Sequence, residues 1–184
     1  MKSKILAAVL LFAFTGVAQA TTINLNNTEV PTISNQDVVT NQWNGFGLGI
    51  QNAYWYVDSR DPFDTMGLSN NPPFETSPIG RIDFLNGPVS NLSVDWWTID
   101  PNTIFIDVYD SSNTLLRSFN GNGSGTQRLG SDISYLTWHD TGGFVQVSTL
   151  NFDQQTSPVP EPSTLLLLGS GLLAGAIARR KLTA

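Results

Sequence analysis

The chain has 184 residues, no cysteine and a formal net charge of −6 at pH 7. Without cysteine it forms no disulfide and has neither a thiolate metal site nor a cysteine nucleophile. Its acidic balance argues against a nucleic-acid partner, because the phosphate backbone would repel it.

The first 20 residues have the features of a secretory signal peptide. Two lysines precede an apolar run over residues 5–17, and small residues occupy positions Ala18 and Ala20. Signal peptidase requires small residues at those two places. We therefore expect this enzyme to cleave before Thr21, so that the protein is exported.

The segment that follows, residues 21–156, is predicted to be a single all-β domain, an antiparallel β-sandwich. Short runs of β-branched and aromatic residues alternate with polar residues, and turn residues separate them at intervals of roughly 8–12 residues. A glycine-rich stretch at 120–125 is predicted to be a flexible loop. Two predicted strands each place three apolar residues on one face: Leu92, Val94 and Trp96, and Ile104, Ile106 and Val108.

This body is strongly acidic. Residues 21–157 contain four arginines, no lysine and 14 carboxylates, which gives a net charge of −10. Three of the carboxylates, Asp58, Asp61 and Asp64, recur at a spacing of three. Carboxylate oxygens are the ligands that Ca²⁺ prefers, so these residues are a candidate calcium site. The alternative is a solvated acidic loop in which an arginine pairs with one carboxylate.

Aromatic residues give a second candidate site, and they occur at 54–56, at 96–97 and at position 138. Adjacent residues of a strand point to opposite faces, so each aromatic pair can supply one core ring and one exposed ring. We expect Trp55 and Trp97 to be the exposed rings and to contact glycans. The alternative is that all of these rings pack in the core, as large aromatic residues commonly do.

The sequence favours a non-catalytic protein, and no catalytic residue is assigned. His139 is the only histidine, so a site with several histidine ligands for zinc is excluded. The Gly-x-Ser-x-Gly nucleophile motif is absent. A glycan-degrading hydrolase remains the alternative, and it would need two carboxylates about 5–10 Å apart.

The C-terminal segment, residues 157–184, consists of a proline-rich stretch, an apolar run and a basic end. The uncharged run from 165 to 178 spans about 21 Å as a helix. A transmembrane helix over 163–178, with snorkelling arginines, approaches the ~30 Å thickness of the hydrocarbon core. Three cations follow it: Arg179, Arg180 and Lys181. By the positive-inside rule they remain cytoplasmic.

The sequence Val-Pro-Glu-Pro-Ser-Thr at 159–164, with the apolar run and the basic end, resembles the PEP-CTERM sorting signal of Gram-negative bacteria. The resemblance implies recognition by an exosortase, a membrane-embedded cysteine transpeptidase-like enzyme. It further implies that the helix is removed near Pro160, Glu161 and Pro162. The protein would be held in the inner membrane transiently and then released or attached at the cell surface, in bacteria that make exopolysaccharide and biofilm matrix.

The body also resembles jelly-roll domains that carry this tail, and through them galactose-binding-like and carbohydrate-binding modules. The resemblance rests on five short stretches, at residues 88–90, 94–96, 108–110, 116–119 and 150–153.

The predicted architecture is therefore a jelly-roll-like β-sandwich flanked by an N-terminal signal-peptide helix and a C-terminal hydrophobic helix. We expect a surface or extracellular-matrix protein that binds exopolysaccharide. The alternative hypothesis is a purely structural or adhesive surface protein.

Overall fold

The computed structural model of the protein describes residues 19–26, 33–58, 65–70, 79–141 and 145–154. These residues belong to one compact unit, Ala18–Gln155. A short 3-10 helix spans Asn44–Phe46. The strands are β1 (Gln19–Asn24), β2 (Val38–Val39), β3 (Leu48–Gln51), β4 (Ala53–Asp58), β5 (Thr65–Ser69), β6 (Gly80–Phe84), β7 (Val89–Thr98), β8 (Ile104–Tyr109), β9 (Leu115–Gly121), β10 (Ser124–Gly130), β11 (Tyr135–Asp140) and β12 (Val145–Gln154).

The strands form two sheets in which the neighbouring strands are antiparallel. Sheet A has the order β10-β7-β12-β5-β4-β2, and β1 pairs with β12 beside this path. Sheet B has the order β3-β6-β11-β8-β9. Buried side chains of both sheets form one hydrophobic cluster. The predicted all-β class and antiparallel sandwich are confirmed.

Alternation of side chains explains how the two central strands join this core. In β7 the side chains of Leu92, Val94 and Trp96 are buried, and the residues between them are half-buried. In β8 every second residue from Ile104 onwards is buried in the same way. Both predicted strand faces are confirmed, because a strand with one solvated face alternates with a period of two.

Trp138 is at the centre of sheet B. It is fully buried on β11, where it pairs with Gly80 of β6 on one side and with Ile106 of β8 on the other. A Cβ atom added to Gly80 would lie 2.6 Å from the indole ring of Trp138. The absence of a side chain at position 80 therefore makes room for the largest side chain of the sheet.

Adding a methyl group at position 80 is expected to destabilise the protein. Gly80→Ala forces the indole of Trp138 to move in a close-packed core, which typically costs about 1–3 kcal/mol. Gly45→Ala is the matched control, because an added Cβ there meets no atom within 4 Å. Urea unfolding followed by tryptophan fluorescence compares the two free energies. Equal stabilities of the two variants would contradict this account of the core.

The predicted flexible loop at 120–125 is wrong in extent. β9 continues to Gly121 and β10 begins at Ser124, so only Asn122 and Gly123 connect them. Gly123 has φ +92°, a conformation that glycine adopts without strain. The amide of Asn122 donates to the Asn102 carbonyl at 2.8 Å, which fixes this turn. The turn takes the chain from sheet B to sheet A.

Both predicted terminal helices lie outside the described residues, as does the whole segment 157–184. Within the part of the chain that the structure describes, no helix is long and apolar enough to cross a membrane. β1 begins at Gln19, two residues before the expected mature N-terminus, so cleavage before Thr21 would leave four residues of this strand. Those four still pair with β12, at positions 149–152.

Candidate functional site

The outward-facing side chains of β7 and β10 form a continuous polar surface on sheet A. Arg128 pairs with Ser93 and Thr126 with Asp95, and directly opposite residues share one face of a sheet. The Thr126 hydroxyl donates to the carboxylate of Asp95. Trp97 lies at the far end of the same row. We call these five residues the β7–β10 face.

Trp97, the outward residue of the pair that it forms with buried Trp96, is half-buried rather than fully exposed. Trp96 instead packs in the core, with its ring centroid 5.4 Å from that of Phe119. A partly exposed indole beside hydroxyl and carboxylate groups combines a flat apolar surface with hydrogen-bonding partners. Small-molecule sites commonly have this combination.

The prediction that Trp55 is an exposed ring is wrong. Only 6% of Trp55 is exposed, and its indole N–H donates to the carbonyl of Leu25 at 3.2 Å. Trp55 shares the inward face of sheet A with its cross-strand partner Leu68, which is fully buried. The core alternative therefore holds for Trp55. The prediction was wrong because the pattern of adjacent aromatic residues does not show which of them faces inward.

A cavity of about 460 Å³ adjoins the β7–β10 face. Arg117 of β9 and Arg128 of β10 both contribute to its wall. Nη1 of Arg117 donates to the backbone carbonyl of Arg128 at 2.9 Å, which holds the Arg117 guanidinium against the edge of sheet A. The cavity is lined by Asn91, Leu92, Ser93, Arg117, Arg128 and Gly130.

Sequence reasoning missed this cavity. The available signal was that two of the four arginines of an acidic body flank one short glycine-rich turn. That signal does not show that β9 and β10 belong to different sheets, nor that Arg117 reaches across the gap between them.

The other described arginine, Arg81, has a structural role on the outer face of sheet B. It forms an ion pair with Asp83, and its guanidinium carbon lies 3.6 Å from the ring centroid of Tyr135. The hydrogen bond to Asp83 raises the pKa of Arg81 above its usual value. Tyr135 also stacks on Tyr109 at 4.7 Å between centroids, and desolvation together with the charge of Asp107 raises the pKa of Tyr109.

The single histidine also packs on this outer face. His139 stacks on Phe105 of the neighbouring strand, with ring centroids 4.8 Å apart and an angle of 11° between the planes. On β11, His139 is two residues beyond Thr137, the cross-strand partner of Arg81.

The candidate calcium ligands Asp61 and Asp64, and the side chain of Asp58, lie outside the described residues. Among the residues that are described, no group of three His, Cys, Asp or Glu side chains could hold a metal ion. Asp83 and Asp153, two further acidic residues of the body, have other partners. Asp83 is paired with Arg81, and Asp153 accepts from the side-chain amide of Asn91 at 2.6 Å.

Comparison with protein families gives a match at residues 158–181, to the PEP-CTERM protein-sorting motif. The chain carries a PEP-CTERM sorting signal. The match includes Pro160, Glu161 and Pro162 and the basic residues at 179–181, which lie outside the described residues. A PEP-CTERM signal implies export, processing by an exosortase and sorting to the cell surface. The resemblance found in the sequence is thereby confirmed.

Other comparisons add little about the body of the chain. A solved fucose-binding module of Streptococcus pneumoniae is similar with a TM-score of 0.33 and 10% sequence identity, over 75% of this chain and 91% of that chain. Similarity at this level carries no argument about ligand or mechanism. No curated protein sequence matches the chain.

Proposed function

We propose that the mature protein is a non-catalytic component of the cell surface or extracellular matrix that binds exopolysaccharide through the β7–β10 face. The observation that carries this proposal is the half-buried Trp97 at one end of a row of polar side chains. A protein that the cell sends to its surface meets secreted polysaccharide there, so location and surface chemistry agree.

The composition of the face suits a sugar chain. An indole ring offers a flat apolar surface for the C–H face of a pyranose ring, and the neighbouring polar groups can bond its hydroxyls. Asp95 accepts from Thr126, so its side chain is held in position on this face. Ordered polar groups lose less conformational entropy when a ligand binds.

Export and processing complete the proposal. Signal peptidase removes residues 1–20, the C-terminal helix holds the chain in the inner membrane transiently, and the exosortase then removes that helix. The product is an acidic domain in the biofilm matrix or on the cell surface. Its net negative charge repels the phosphate backbone and so keeps it from binding nucleic acid in the same matrix.

Replacement of Trp97 tests the proposal. In a glycan array with the full chain, kept soluble by a detergent without a sugar headgroup, we expect Trp97→Ala to bind the recognised glycan about tenfold more weakly. This corresponds to ~1.4 kcal/mol of lost contact. Phe105→Ala is the matched control, because it removes an aromatic ring from the outer face of sheet B. Unchanged binding by Trp97→Ala would contradict the proposed surface.

One observation favours the purely structural or adhesive alternative. β9 is an edge strand of sheet B, and it exposes Leu115 by 50% and Leu116 by 43%. Exposed apolar side chains on an edge strand favour pairing with another chain. If the array detects no glycan and the protein associates with itself unless these leucines are replaced by serine, the adhesive function replaces the glycan-binding one.

A further inference from the structure

We propose that the cavity lined by Arg117 and Arg128 binds the carboxylate of an acidic sugar, so that the preferred polysaccharide contains uronic acid residues. The inference rests on the proposed glycan-binding function and adds the charge of the ligand. It follows from the charge, the hydrogen bonding and the position of the cavity.

The charge distribution singles out this cavity. The body carries a net charge of −10, yet two of its four arginines line one cavity. Of the other two, Arg81 is paired with Asp83 and Arg60 lies outside the described residues. Within the described residues, neither Arg117 nor Arg128 forms a salt bridge. Two guanidinium groups beside one cavity repel each other, and a bound anion relieves that repulsion.

Hydrogen bonds hold the cavity wall in place and leave donors available. The carbonyl of Arg128 accepts both from Nη1 of Arg117, at 2.9 Å, and from Nε2 of Gln127, at 2.8 Å. This uses one of the five N–H groups of the Arg117 side chain and leaves the others for a ligand. Among the described residues, the Arg128 guanidinium and the Ser93 hydroxyl have no hydrogen-bond partner. Planar guanidinium groups bind carboxylates through paired hydrogen bonds.

Asn91 gives the wall further rigidity. It adopts φ +53°, which is uncommon for a residue with a side chain. Its side-chain amide donates to Asp153 at 2.6 Å, and its backbone N–H donates to the hydroxyl of Ser131. The neighbouring irregularity between Arg128 and Gly130 interrupts the ladder with β7. Bulges of this kind redirect side chains and frequently occur beside binding sites.

Size and position indicate a sugar rather than an isolated inorganic anion. The volume of about 460 Å³ is within the range of ~300–1,000 Å³ for small-molecule sites. Ser93 belongs both to the cavity wall and to the β7–β10 face. Trp97 is four residues further along the same strand, or about 13 Å at ~3.3 Å per residue. One extended polysaccharide can therefore place a carboxylate in the cavity and another ring on Trp97.

The test compares oligogalacturonate with its methyl ester, which has the same sugar backbone without the charge. Calorimetric titration of the full chain in the same detergent measures both affinities. We expect the acid to bind at least about tenfold more tightly, and added salt to reduce this preference because it screens the charges. The double variant Arg117→Gln, Arg128→Gln is expected to abolish the preference. Arg117→Lys keeps the charge but not the planar paired donors, so it is expected to retain the preference only in part.

Controls separate this inference from the proposed function. Inorganic sulfate tests the anion alone, and sulfate binding as tight as that of the oligosaccharide would overturn the sugar assignment. If both oligosaccharides bind equally and only Trp97→Ala weakens them, the acidic preference fails and the proposed function stands. If Trp97→Ala leaves both affinities unchanged while the arginine double variant loses its preference for the acid, the cavity assignment is supported. The proposed binding surface at the β7–β10 face is then contradicted. If neither oligosaccharide binds, the inference is overturned.

Discussion

Trp138→Ala is expected to lower the free energy of unfolding by about 3–5 kcal/mol, the usual cost of deleting a fully buried tryptophan. Trp138 is completely buried between β6 and β8, and its partner on β6 is Gly80, which has no side chain to fill the space. A typical domain is stable by ~5–15 kcal/mol. The substitution thus removes a large part of the total, and the melting temperature should fall accordingly.

Two companion variants make this result interpretable. Trp97→Ala deletes the same side chain from the outer face of sheet A and should cost less, since Trp97 is only half-buried and its removal leaves no enclosed cavity. Trp138→Phe removes less volume and keeps the chain folded if alanine does not. Urea unfolding monitored by circular dichroism ranks all three. A smaller loss for Trp138→Ala than for Trp97→Ala would contradict the assignment of the core.

The second large effect concerns processing. In cells that contain an exosortase, we expect the mature protein to lack residues 165–184 and to leave the membrane fraction. Replacing Pro160, Glu161 and Pro162 by alanine is expected to leave most of the protein uncleaved, because these residues belong to the matched PEP-CTERM motif. Intact-mass measurement distinguishes the two products, since the uncleaved chain retains its apolar run and its basic end.

The matched control for that experiment is Glu75→Gln, which changes a glutamate of the body outside the motif. It should be processed like the wild-type chain. A strain without exosortase should accumulate the same uncleaved product as the triple variant. If the wild-type protein keeps residues 165–184 in cells that have the enzyme, the C-terminal segment is a permanent anchor instead.

How far the fold was predictable depended on the length of each strand and on whether apolar and polar residues alternate along it. β7 has ten residues and β8 has six, so period-two alternation was evident and placed Leu92 and Ile104 on the buried faces. The strands before residue 70 were not delimited. β2 has two residues and β3 has four, which is too short for a pattern, and β4 begins with five consecutive apolar residues, so it does not alternate. Pairing with neighbouring strands, rather than local sequence, determines their conformation.

The candidate site was only partly predictable for a related reason. Trp97 followed from the alternation within one strand. The cavity depends on Arg117 and Arg128, which are brought together by a turn that crosses between the two sheets. A sequence pattern describes the faces of individual strands, whereas a cavity between the edges of two sheets is a property of the tertiary fold.

The position of β12 has a mechanical consequence. β12 is the last described strand before the sorting segment, and its residues 149–154 are flanked by β1 on one edge and by β7 on the other. Any pulling force transmitted through the C-terminal segment therefore enters the domain through an interior strand. Drawing that strand out along its axis would shear two ladders of hydrogen bonds at once, whereas an edge strand can be peeled away one bond at a time. A domain attached through this strand would remain folded under a tension that would peel away an edge strand.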